Sequence, residues 1–185
     1  VSYLFLKRKK SMSNYHFITN WSLKARPEEI YRILEDVERL CEWWPSVYLK
    51  VTVTKPGVAG GVGKEVELLT KGWLPYLLKW KFRVIESHFP TGFSIEAMGD
   101  FVGKGIWTIG EVNEKGYCNV KYDWNIRADK KLIRYLSWLL RPIFSANHHW
   151  AMRKGEESLA LELRRRRMEQ NVPEPPKAIF VGTTE

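Results

Sequence analysis

The sequence predicts an α+β domain in which a curved antiparallel sheet of six to seven strands wraps around a long C-terminal helix. Three observations predict it. Six consecutive segments between residues 47 and 128 alternate apolar and polar side chains with a period of two, the pattern of half-buried strands. Clusters of Gly, Pro and Asn separate these segments at spacings too short for intervening helices. After residue 142 the apolar positions recur at helical spacing as far as residue 167. Strands in succession closed by one terminal helix make an α+β layer arrangement. At 185 residues the chain has the length of one domain, expected over residues 14–168, between an N-terminal extension at 1–13 and a Pro-rich tail at 169–185.

Residues 15–23, rich in aromatic and β-branched side chains, read as the first strand. Pro27 opens a helix, because its fixed φ suits the first turn and its missing N–H loses no partner there. Glu28 and Glu29 complement the positive helix end, and Ile30, Ile33, Leu34 and Val37 form one buried stripe. Leu40, Cys41 and Trp44 continue into a second short helix that Pro45 ends. In the next strand Val47, Leu49, Val51 and Val53 face inward, with Tyr48, Lys50, Thr52 and Thr54 outward. A Gly-rich turn at 56–63 leads to strands at 64–71, 78–88, 93–99, 105–112 and 118–128. In the last, Cys118, Val120, Tyr122, Trp124 and Ile126 face inward, while Asn119, Lys121, Asp123, Asn125 and Arg127 face out.

Residues 130–141 read as a short helix, apolar nearly all round, that Pro142 breaks. A second helix then opens at Pro142 and runs to residue 167, roughly 39 Å at about 1.5 Å per residue. Arg153, Lys154, Glu156 and Glu157 mark its wet face. Phe144, Asn147, His148, Ala151, Gly155, Ser158 and Leu159 lie opposite.

Composition narrows the function. The net charge is +9, which suits anionic partners, yet eight of the basic residues are gathered at 7–10 and 164–167, as solvated ends would have them. Successive helical residues step by about 100°, so Arg164 to Arg167 surround their helix and make no single face. No nucleic-acid partner is expected. Cys41 and Cys118 show neither disulfide nor metal-ligand spacing, which fits reduced thiols in a cytoplasmic protein. No apolar run has the length to cross a bilayer, and the short start at 1–6 lacks the order of a secretory signal. No cofactor or metal motif is present. Nine Trp, eight Tyr and eight Phe suit either a lined cavity or a well-filled core.

The run Asp36-Val-Glu-Arg-Leu-Cys-Glu-Trp-Trp-Pro-Ser46, the Gly61-Val-Gly63 that opens the third strand, and the long final helix resemble one known superfamily. Over residues 14–167 the chain is similar to the polyketide cyclase/dehydrase and lipid-transport branch of the START-like (SRPBCC, helix-grip) proteins. The resemblance implies a hydrophobic cavity between the sheet and the final helix. Its members include lipid and quinone carriers, aromatase/cyclases and other binders, so the fold does not settle function. Cavity walls are expected from Trp80, Phe82, Tyr122 and Trp124 on the sheet. Phe144, Asn147, His148, Ala151 and Gly155 face them from the helix.

Topology adds an expectation about the mouth. In successive antiparallel strands, alternate connections share an end. The turns at 56–63, 89–92 and 113–116 are polar, whereas 72–77, 100–103 and the exit into 130–141 carry Trp73, Leu74, Tyr76, Leu77, Phe101 and Leu136. Loops are usually polar because they meet water. These side chains therefore form either a packed end cap or a gate, with Trp73, Tyr76, Phe101 and Leu136 as gate residues. Lys71, Lys79, Lys130, Lys131, Arg134 and Arg141 border them, an arrangement suited to peripheral contact with an anionic membrane.

No catalytic motif is present beyond His148, the inward member of His148-His149 and either a hydrogen-bonded core residue or a pocket residue. Asp100 is expected to fix its turn and Asp123 to point outward. The expected function is binding or transport of a lipid-like or polycyclic hydrophobic molecule. The alternative is a cyclase/dehydratase acting on an aromatic or polyketide-like substrate through His148. A buried acid or Arg within reach of that imidazole separates the two.

Overall fold

The computed structural model describes residues 14–128 and 137–179. Its elements are β1 (Asn14–Leu23), α1 (Pro27–Glu35), α2 (Leu40–Trp43), β2 (Tyr48–Lys55), β3 (Glu65–Lys71), β4 (Leu77–His88), β5 (Gly92–Gly99), β6 (Phe101–Val112), β7 (Cys118–Ala128) and α3 (Ser137–Arg166). All seven strands join one antiparallel sheet in the order β1-β7-β6-β5-β4-β3-β2. Strands β2 to β7 pair in sequence, and β1 returns to the far side of β7, Tyr15 opposite Ile126 and Trp21 opposite Val120. The inward side chains of the strands, the buried face of α1 and the inner face of α3 share one core.

Pro27 stands at the start of α1, where Glu29 accepts the Arg26 backbone N–H at 2.9 Å. The stripe Ile30, Ile33, Leu34 and Val37 is buried as the spacing predicts. In α2 the buried residues are Leu40 and Trp43, with Trp44 buried just beyond, while Cys41 stays half-buried.

Three local expectations change. First, a register shift in β2 pairs Tyr48 with Thr70 but Lys50 with Leu69. The extra residue, Leu49, forms a bulge, so Tyr48 turns inward against the simple alternation. Second, β6 begins at Phe101, which leaves Asp100 as the single residue between β5 and β6. Asp100 accepts the Lys79 N–H at 2.8 Å through Oδ2 and donates its own N–H to the Lys79 carbonyl at 3.0 Å. Third, Pro142 lies inside α3 and does not break it. It is the sixth of 30 residues, so its ring costs one backbone bond near the helix start, and the remaining packing carries the helix through. At about 1.5 Å per residue α3 is roughly 45 Å long. The predicted short helix before it lies largely outside the described residues, and Leu136 with it.

At the far end of α3 the arginines keep contact with water, Arg166 and Arg167 being exposed, and are also tied into ion pairs. Glu162, 2% exposed, accepts Arg165 Nη1 at 3.2 Å and Arg166 Nε at 3.0 Å, with Arg39 Nη1 at 3.5 Å. Arg166 also reaches Asp36 at 2.7 Å, and Arg167 donates to Glu29 at 2.9 Å and to the Lys24 carbonyl at 3.0 Å. These charges fasten α3 to α1, and Arg165 holds the tail by donating to the Pro173 carbonyl at 2.8 Å.

Candidate functional site: a cavity between sheet and final helix

Strand alternation sends Trp80 of β4, Phe101 of β6, and Tyr122, Trp124 and Ile126 of β7 to the concave face. Phe144, Asn147, His148, Ala151 and Met152 of α3 stand opposite. Between them lies a cavity of about 130 Å³. At the end of the sheet where β3 joins β4, Lys71, Gly72, Tyr76 and Leu78 complete the wall. Tyr15, Trp44, Tyr48 and Thr70 close its other sides.

The aromatic wall is interlocked. Tyr122 stacks on Trp107 at 4.1 Å and 19°, and on Trp124 at 5.5 Å and 23°. Trp80 lies 5.7 Å from Trp124 and fixes its indole by donating Nε1–H to Thr70 Oγ1 at 3.0 Å. Gly105 makes room on the neighbouring strand: a methyl group there would stand 2.7 Å from Tyr122 Oη and 2.8 Å from Trp124 Cε3. A side chain at 105 would lift both rings into the cavity.

Few groups in the cavity ionise near neutrality. Burial pushes the phenols of Tyr48, Tyr76 and Tyr122 above the ordinary tyrosine range, which keeps them neutral hydroxyls. The His148 ring stacks on Phe17 at 4.1 Å and 16°, and its Nε2 is buried with no hydrogen-bond partner among the described residues. Burial, and then the nearby His149 ring at 5.9 Å, push its pKa down to about 4, so the imidazole is neutral at pH 7. Among the described residues no Asp or Glu lines the cavity. Lys71 is buried in the wall and donates to the Leu74 carbonyl at 3.0 Å. Asn147 Oδ1 accepts the Leu74 N–H at 3.3 Å, tying the β3–β4 connection to α3. Among the described residues no group of three His, Cys, Asp or Glu side chains is placed to hold a metal, and no described helix is long and apolar enough to cross a membrane.

Of the residues expected at the site, Trp80, Tyr122, Trp124, Phe144, Asn147, His148 and Ala151 share this cavity. Tyr76 and Phe101, expected as gate residues, form part of its wall, and Trp73 is half-buried in the same connection outside that wall. Two expected residues sit elsewhere. Phe82 is one inward position beyond Trp80, about 7 Å along β4. There α1 covers the sheet, and Phe82 borders a crevice of about 40 Å³ with Tyr31, Leu34 and Val37. Gly155 does not reach the cavity because the Trp44 indole covers it, with Cε2 and Cη2 each 2.6 Å from where a methyl group would stand. The lining residues not expected at the site from sequence include Tyr15, Trp44, Tyr48, Thr70, Lys71 and Met152. The inward parity of Tyr15 was readable, but its placement beside Ile126 needs a pairing over a hundred residues apart.

No protein-family model and no curated protein sequence matches the chain. Solved structures do. The TTHA0849 protein of Thermus thermophilus is 18% identical, with a TM-score of 0.63 over 83% of this chain and 97% of its own. The Zhui aromatase/cyclase of Streptomyces sp. R1128 is 15% identical, with a TM-score of 0.64 over 83% and 96%. Norcoclaurine synthase of Thalictrum flavum, solved with dopamine and hydroxybenzaldehyde, is 14% identical, with a TM-score of 0.54 over 82% and 89%. The seven-stranded sheet, the two short helices after β1 and the long final helix thus give this chain the same helix-grip fold as these structures.

Proposed function

We propose that the protein binds or carries a hydrophobic small molecule, lipid-like or polycyclic, in the cavity between the sheet and α3. One observation carries the reading: the cavity is walled mainly by aromatic and aliphatic side chains, its polar members Thr70, Lys71 and Asn147 are engaged in hydrogen bonds, and its imidazole, His148, is neutral and faces no carboxylate among the described residues. General acid–base chemistry needs a group poised near the working pH and oriented by a partner. A neutral imidazole with an unengaged Nε2 instead supplies one hydrogen bond to a ligand hydroxyl or carbonyl. The size also matters. An apolar cavity of about 150 Å³ takes one benzene ring, so the space seen here encloses one ring or one segment of a chain at a time.

Native mass spectrometry of the purified protein, with Trp fluorescence titrated by simple phenols, tests the reading. Co-purifying apolar mass or saturable quenching of the cavity tryptophans is expected. Neither an adduct nor saturation at millimolar phenol would reject it. A second reading, a cyclase/dehydratase on an aromatic or polyketide-like substrate, is favoured only by the presence of His148, a titratable side chain, in the cavity wall. On that reading His148→Gln lowers turnover about 10²- to 10⁴-fold.

On this reading ligand exchange uses the β3–β4 end of the cavity. Leu77 is 41% exposed beside half-buried Trp73 and Leu74 and exposed Lys79, a combination suited to peripheral docking of a cytoplasmic protein on an anionic membrane.

A further inference from the structure

Resting on the binding reading above, we infer that Trp44 is the floor of the cavity and sets the size of ligand it encloses, with Gly155 as the notch that seats it. Trp44 follows α2 directly and is 3% exposed. Tyr48 lies 5.2 Å away, Trp43 5.4 Å and Trp21 5.8 Å, so the indole stands among β1, α2 and β2 with its six-membered ring against α3. On one side it borders the cavity beside Ala151 and Met152. Farther along α3 the interior is filled: Ser158 and Leu159 are fully buried.

Gly155 explains how a bicyclic side chain fits so close to a helix. Glycine is the costliest residue after proline in a helix interior. Here it sits near the middle of a 30-residue helix, and its Cα–H is what the indole rests on. A methyl group at 155 would stand 2.6 Å from Cε2 and Cη2, closer than such atoms approach, so the indole would have to move. With α3 behind Gly155, the direction left to it is the open cavity. Removing the indole does the opposite and joins its volume to the cavity. The enlarged recess also contains hydrogen-bonding capacity, because Ser158 Oγ, one turn beyond Gly155, is buried without a partner among the described residues. A two- or three-ring molecule carrying one hydroxyl or carbonyl matches that space.

The experiment uses phenol, 1-naphthol and 1-anthrol as one-, two- and three-ring probes, titrated calorimetrically against the full chain and three variants. The wild type is expected to bind phenol best relative to ring number. Trp44→Ala should shift the naphthol-to-phenol affinity ratio at least tenfold toward naphthol. Gly155→Ala should weaken phenol binding about tenfold while circular dichroism shows the helix intact. Trp44→Phe, which keeps a buried ring, should shift the ratio in the same direction as Trp44→Ala by less, and carries the test if the alanine variant does not fold. Wild-type protein that binds none of the three phenols and carries no co-purifying apolar adduct would reject the binding reading itself. Wild-type binding with an unchanged ratio in the Trp44 variants, or unchanged phenol affinity in Gly155→Ala, would reject the role of Trp44 and leave that reading standing.

Discussion

Replacing His148 by Gln should flatten the loss of stability on acidification between pH 6.5 and 4. The ordinary imidazole value is 6.5, and burial beside Phe17 and His149 holds His148 at about 4. Between those two values the unfolded chain takes up a proton that the folded chain refuses. Stability therefore rises with pH across this window, is complete above 6.5, and is lost as pH falls toward 4. At ~1.36 kcal/mol per pH unit the gap sets a ceiling of roughly 3 kcal/mol. The ring is only partly enclosed, and solvent screening lowers this to about 2 kcal/mol. Urea unfolding at pH 7, 6, 5 and 4.5, on wild type and His148→Gln, measures it. Glu29, held at about 2 by the Arg167 guanidinium, loses its contribution only as pH falls from 4.5, in both proteins alike, and so cancels in the difference. Parallel stability curves for the two proteins would refute the buried, neutral imidazole.

Trp124→Ala should cost about 3–5 kcal/mol of stability and also abolish phenol binding; the first without the second would make Trp124 core alone. Glu162→Ala removes the buried acceptor that Arg165 and Arg166 share, but both stay partly exposed and keep Pro173 and Asp36, so it should destabilise by about 1.5–3 kcal/mol in urea; a change below about 0.5 kcal/mol would mean that the pairing contributes nothing. For the β3–β4 end, the wild type should sediment with anionic liposomes, hardly with neutral ones, and less as salt rises. Trp73→Ser with Leu74→Ser should reduce that sedimentation and leave the melting temperature nearly unchanged. A lowered melting temperature with unchanged liposome binding identifies a packed cap instead.

Much of this architecture is local and was legible without coordinates. Alternation over residues 118–126 placed Tyr122 and Trp124 inward because a strand turns each successive side chain to the opposite face. The 3.6-residue repeat likewise brought Phe144, Asn147, His148 and Ala151 to one side of α3. Both periods are properties of the backbone over a few residues. Where an outcome depended on a partner far along the chain, the same reading failed. The bulge at Leu49 turned Tyr48 inward because β2 pairs with β3 in a shifted register, which no alternation within β2 records. Pro142 passed through α3 because loss of one backbone bond is small beside the packing of a 30-residue helix. Arg166 and Arg167 are exposed as a solvated run would be, but their pairing with Asp36 and Glu29 depends on α1 lying beside them and could not be read from the run itself. Phe82 and Trp80 have the same parity, and only the covering helix decided that one meets α1 and the other the cavity. The sequence by itself determined the elements and their inward faces, since those follow from backbone geometry and hydrophobicity. Tertiary structure alone decided that Trp44 would settle on Gly155 and end the cavity there, because that contact joins residues 111 positions apart and exists only once the layers have packed.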